Sequence, residues 1–115
     1  SQDNTPILSG PIDELSETMF PFFTWEKIPQ AGSYGLVIAA NEDCTQVIFD
    51  NQSISEKQFQ YPVDAPPLEF DTFYYWKVIA YDENGQTLGD YSLIAQFSTP
   101  TGIIEIEFIY EEGDG

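Results

Sequence analysis

Leu68-Glu-Phe-Asp-Thr-Phe-Tyr-Tyr-Trp-Lys-Val-Ile-Ala-Tyr81 is the stretch whose reading decides the fold. Taken with a period of two, Leu68, Phe70, Thr72, Tyr74, Trp76, Val78 and Ala80 share one face. Glu69, Asp71, Phe73, Tyr75, Lys77, Ile79 and Tyr81 share the other. Such alternation predicts a β-strand with one face in a core. β-branched and aromatic residues, which suit a pleated and half-buried surface, dominate it. From Phe73 to Tyr81 both faces are largely apolar, which predicts a central strand rather than an edge.

Outward from that strand, turn chemistry divides the rest of the chain. Asp82-Glu-Asn-Gly85 follows it, and Asn-Gly is a strong short hairpin signal because both residues tolerate positive φ. The next strand is centred on Tyr91–Phe97. Upstream, three prolines stiffen Pro62–Pro67 as a loop, since their fixed φ lowers loop entropy. Lys57–Tyr61, Gln46–Asn51, Ser33–Ala40 and Met19–Trp25 read as strands, the last beginning after Pro21. Thr5–Pro11 reads as a short edge strand, because its two prolines cannot donate to a ladder. Ile12–Thr18 is expected to be a loop. Seven strands with turns at this spacing predict an all-β, antiparallel two-sheet sandwich of immunoglobulin-like type. The strands of 5–11, 19–25 and 57–61 form one sheet in this reading. Those of 33–40, 46–51, 68–81 and 91–97 form the other.

The same residues carry a family resemblance. Leu68, Thr72, Tyr74, Trp76, Val78 and Ala80 resemble strand F of a fibronectin type III domain, where a leucine precedes a tyrosine by six positions. The resemblance implies that Leu68 and Tyr74 form a tyrosine corner, with the Tyr74 hydroxyl bonded to nearby backbone. Trp25, followed by Ala31-Gly-Ser-Tyr34-Gly-Leu-Val-Ile38, resembles the family's strand B tryptophan and strand C pattern. Phe97-Ser-Thr-Pro100 is similar to the end of strand G. Phe70 stands where the family often has proline. Tryptophan at Trp76, a place usually held by a branched aliphatic residue, resembles modules of bacterial secreted and outer-surface proteins. Trp25 and Trp76 are thereby expected in the core with Leu68 and Tyr74.

Composition bounds the function classes. The chain has 115 residues, with 20 Asp and Glu against three lysines and no histidine, for a net charge of −17. Nucleic acid is excluded as a partner, because phosphate binding needs clustered Lys and Arg. Anionic membrane surfaces are disfavoured for the same reason. No apolar run approaches a transmembrane helix. The acidity fits solubility by self-repulsion, or adaptation to salty surroundings or divalent cations. A start at Ser-Gln-Asp without Met fits a mature secreted protein or a piece of a longer chain, which points to an extracellular or cell-surface location.

Reactive groups are scarce. Without histidine, neither a Ser-His-Asp nor a Cys-His arrangement can form within this chain, nor a His-ligated metal site. One cysteine, Cys44, cannot form an intrachain disulfide. Its acidic neighbours are expected to keep the thiol protonated. No phosphate-binding glycine loop is present. Two candidate binding chemistries remain. Calcium wants six to eight oxygens, which Asp82, Glu83, Asn84 and Asp90 supply near one turn, and Asn41, Glu42 and Asp43 near another. Neither group matches a known calcium loop. Phe73 and Tyr75 offer an aromatic face for stacking on sugars.

Thr101–Gly115 lies outside this plan. Ile104, Ile106, Phe108 and Tyr110 share a face opposite Glu105, Glu107 and Glu111. So apolar a segment reads as an extra strand that adds to its own sandwich or begins another domain. The alternative is pairing with another chain, including self-association, since an unpaired edge templates such contacts. The expected organisation is a sandwich over residues 1–100 and an extra strand or linker with an acidic tail over 101–115. The expected function is non-catalytic: a structural or protein-interaction module, serving as spacer or adhesion unit, without a resident cofactor. The alternative is a carbohydrate-binding accessory module.

Overall fold

The structure is a computed structural model, and it describes residues 4–101. Eight strands are present among them. In chain order they are β1 (Leu8–Gly10), β2 (Glu14–Leu15), β3 (Phe22–Trp25), β4 (Ser33–Ala39), β5 (Val47–Ile54), β6 (Gln58–Gln60), β7 (Phe73–Tyr81) and β8 (Ala95–Ser98). A three-stranded sheet has the order β1-β3-β6, and a five-stranded sheet the order β2-β8-β7-β4-β5. The two-sheet sandwich and its division of strands agree with the sequence reading, and β7 is the central strand of the larger sheet.

Alternation produces the core. Tyr74, Trp76, Val78 and Ala80 of β7 point inward and are buried. Opposite them, β4 contributes Tyr34, Leu36 and Ile38 through the pairs Tyr34–Ala80, Leu36–Val78 and Ile38–Trp76. Phe23 and Trp25 of β3 face this layer from the smaller sheet. The ring of Phe23 sits 4.9 Å from that of Trp76 and 5.5 Å from that of Phe97, while Trp25 lies 5.5 Å from Tyr34 and 6.4 Å from Trp76. Tilted and edge-on aromatic pairs of this kind each contribute about 0.5–1.5 kcal/mol beyond the area they bury.

Four differences from the sequence reading have local causes. Ile12–Thr18 is not wholly a loop, because β2 pairs parallel with β8 through Glu14–Phe97 and Leu15–Ser98. The central strand begins at Phe73, not Leu68. Asp71 has φ of 54°, and that left-handed residue breaks the alternation, so Phe70 is about half exposed while Leu68 is buried. β5 runs on to Ile54 through exposed Gln52 and Ser53, because an edge strand needs no apolar outer face.

The fourth difference concerns β8, which begins at Ala95, not Tyr91. At its upstream end Ser92 stands in for ladder pairing. Its N–H donates to the Val78 carbonyl at 2.8 Å, and its hydroxyl accepts the Val78 N–H at 3.0 Å. Tyr91 is thereby released onto the outer face of the sheet, where the Lys77 ammonium lies 4.1 Å from its ring centre.

One flank of the sandwich is closed by aromatic rings. Phe49 of β5 stacks on Phe59 of β6 at 5.8 Å and meets Tyr61 at 5.3 Å. The opposite flank, between β1 and β8, has no such ring pair among the described residues. Among these residues, no helix is long and apolar enough to cross a membrane.

Candidate functional site

Side-chain hydrogen bonds of the corner come from Tyr74, Thr99, Tyr61 and Thr72, whose hydroxyl donates to the Phe70 carbonyl at 2.8 Å. The Tyr74 hydroxyl accepts the Glu69 N–H at 2.9 Å, while Leu68 is buried in the core cluster beside Tyr74. Thr99 is buried; its hydroxyl donates to the Glu69 carbonyl at 2.5 Å and accepts the Thr72 N–H at 2.9 Å. The Tyr61 hydroxyl donates to the Pro66 carbonyl. Sequence reasoning singled out Tyr74 and missed Tyr61 and Thr99. A tyrosine just before the proline-rich loop was the only available signal for the former.

The two tryptophans share a core and differ in their polar atoms. The Trp76 indole N–H donates to the Pro11 carbonyl at 2.9 Å, tying the central strand to the crossover between β1 and β2. The Trp25 indole N–H is buried and has no hydrogen-bond partner among the described residues.

The acidic turns use their oxygens to build themselves. Asp82 Oδ1 accepts the N–H groups of Asn84 and Gln86, at 2.8 and 3.0 Å. Gly85, with φ of 83°, completes that turn. Asn41 Oδ1 accepts from the Thr45 and Gln46 N–H groups, and its amide donates to Asp43. Among the described residues, no three acidic or cysteine side chains are grouped so as to hold a metal ion. Cys44 follows Asp43 in the same loop, yet its side chain is buried. Burial is the main cause that pushes its thiol pKa up; Lys77 opposes this and Asp43 adds to it.

Two surfaces remain as candidates for binding. On the outer face, Phe73 is 59% exposed and borders a hollow of about 300 Å³ lined by Asp13, Glu14, Leu15, Gln96 and Ser98. Tyr75, expected to join it as a stacking platform, has its hydroxyl accepting from the Gln96 amide at 3.1 Å. At the open flank, a groove of about 410 Å³ runs between the strand β1 and the approach to β8. Ile7, Leu8, Ile12, Leu93 and Ile94 line it, with Thr5 and Asp13 as its polar members. Ile104, Ile106, Phe108 and Tyr110, the expected partner strand, lie outside the described residues.

No family profile and no curated protein matches this sequence. Solved structures do. An alpha-L-rhamnosidase from Dictyoglumus thermophilum is similar over 88% of this chain, with TM-score 0.67 and 20% identity. This chain spans only 13% of that protein's length. A Fn3-like protein from Clostridium thermocellum is similar over 85% of this chain and 97% of its own, with TM-score 0.56 and 20% identity. The human fibronectin type-III domain of fibronectin type III domain containing protein 3 matches over 98% of this chain and 95% of its own, with TM-score 0.61 and 18% identity. The eight strands, their two sheets and the core between them therefore have the fold of a fibronectin type III domain.

Proposed function

We propose that this chain is a non-catalytic accessory module that works through its surfaces within a larger secreted or cell-surface protein. The observation that carries this reading is the pair of lengths over which the fold recurs. It spans nearly a whole chain in the Clostridium thermocellum protein and about an eighth of a rhamnosidase. A unit that recurs at both scales is one that can be joined to others. The chemistry of the chain agrees with this role: its single thiol is buried and held protonated. Its acidic turns use their carboxylate and amide oxygens on their own backbone. An antibody against this module, used on the source organism's proteins, tests the reading. It should detect a polypeptide far above 13.0 kDa in the secreted or surface fraction. Detection only near that mass would sink the reading.

One observation favours a second reading, carbohydrate binding. Exposed Phe73 stands beside the carboxylates of Asp13 and Glu14 and the Gln96 amide. An aromatic ring with hydrogen-bonding groups at its rim is the chemistry that holds a sugar. Both tryptophans are in the core, so calorimetry rather than intrinsic fluorescence is the suitable readout. Heat of binding to an oligosaccharide that disappears in Phe73→Ala would support this reading. A silent oligosaccharide panel would eliminate it.

A further inference from the structure

The open flank between β1 and β8 is an unfilled, largely apolar surface. Leu93 is 88% exposed, Ile7 63%, and Ile12 and Ile94 40% each. They line one groove, whereas the other flank is filled by Phe49 against Phe59. A sandwich that closes one flank with stacked rings and leaves aliphatic side chains along the other is short of a covering element. Contiguous exposed apolar surface of this kind marks a contact site. The lining chemistry selects the class of occupant. Only Thr5 and Asp13 are polar, too few to orient a sugar, but suited to alternate apolar side chains of an extended segment.

We propose that this groove is covered by the chain's own C-terminal segment, Ile103–Tyr110. Three observations favour it. The first is pattern: Ile104, Ile106, Phe108 and Tyr110 alternate with Glu105, Glu107, Ile109 and Glu111. One apolar row can therefore meet the groove while carboxylates face water.

The second is reach. β8 ends at Ser98, and the groove lies at Leu93–Ala95 on the same strand. The way back is about 17 Å at the rise of a strand. Residues 102–110, extended, reach about 30 Å, and Gly102 permits the turn. A segment folding back there, counted residue against residue, brings Phe108 level with Ile94. It passes β2 first, which already pairs with β8 at Phe97 and Ser98.

The third is charge. Two copies of a chain carrying −17 repel one another. A segment tethered by one turn is instead present at an effective concentration of about millimolar or more.

The test is a set of charge-neutral variants of the full chain. Ile7→Ser with Leu93→Ser alters the groove, Ile106→Ser with Phe108→Ser alters the segment, and a fourth chain combines all four. Ile7 and Leu93 lie outside the buried core cluster, so the groove variant should fold. Each pair should lower the melting temperature by about 10 °C, and the fourfold variant by no more than either pair, because both remove the same contact. Sedimentation should show a monomer throughout. The inference is overturned by shifts that stay within about 3 °C, as open-surface substitutions do. Shifts that simply add would overturn it too. Coupled shifts accompanied by a tail-dependent dimer would also overturn it, because the occupant would then be a second copy. None of these readouts depends on whether the chain serves as an accessory module.

Discussion

Replacing either buried tryptophan by phenylalanine deletes the same atoms, yet the two changes should differ sharply in cost. Trp76→Phe takes away the indole N–H that reaches the Pro11 carbonyl at 2.9 Å, in a fully buried setting. An acceptor left unpaired in the core costs about 1–3 kcal/mol. The smaller ring also leaves a void beside Phe23 and Trp25, on the order of a further 1 kcal/mol. The expected loss is about 2–4 kcal/mol. Trp25→Phe opens a similar void but removes an N–H that has no partner among the described residues. Relief of that unpaired donor, about 1–3 kcal/mol, offsets the void, and the net change should be close to zero. Urea melts followed by far-UV circular dichroism measure both, with the m-value checked for constancy. The midpoint of Trp76→Phe should fall about 1 M or more below that of Trp25→Phe. Equal midpoints, or a lower one for Trp25→Phe, would refute the assignment of the two indoles.

Two further outcomes follow from named contacts. Tyr74→Phe leaves the Glu69 N–H without its acceptor and should cost about 1–2 kcal/mol; a neutral result in thermal melts would mean the corner is held by its other hydrogen bonds, those of Thr99 and Tyr61 among them. Cys44 should resist a thiol reagent at neutral pH in the native protein and react once urea unfolds it, since burial raises its pKa. Tyr61 is raised likewise, by burial first and then by Tyr74. Groups whose folded pKa is raised contribute stability that is complete below their unfolded values and lost as pH climbs toward the folded ones. The melting temperature should therefore hold to about pH 8 and decline above it; a decline that begins near neutrality would contradict this.

How far the fold could be read from the sequence varied with how strongly burial imposed a period. β4 and β7 sit in the middle of the larger sheet, and their alternation was legible almost residue by residue. The two residues of β2 are too few to show any period, and they pair because the chain that leaves β1 lies alongside β8. The early end of β5 in the sequence reading came from polar Gln52 and Ser53, which an edge position allows. Ser92 hid the true start of β8, since a hydroxyl that replaces a backbone partner leaves no trace in hydropathy. The site was less legible than the fold. Trp76 and Tyr74 stood out by type and spacing, but the groove joins Ile7 to Leu93, residues that only the closure of the sandwich brings together. In the acidic turns, composition shows carboxylates and amides but not that the Asp82 and Asn41 oxygens accept from the turns' own N–H groups.

The borders of the larger sheet have a consequence for life at high local density. One border is β2, two residues long with Glu14 in it; the other is β5, whose run Asp50-Asn-Gln-Ser53 is mostly exposed. A neighbouring chain seeking a ladder would meet a stub on one side and a polar, partly charged strip on the other, and both discourage sheet-to-sheet joining. Copies strung along one polypeptide, or crowded on one surface, could lie side by side and still fold separately. The five-stranded sheet is in this sense insulated, and a designer linking such units in tandem would do well to leave Glu14 and Asp50 in place.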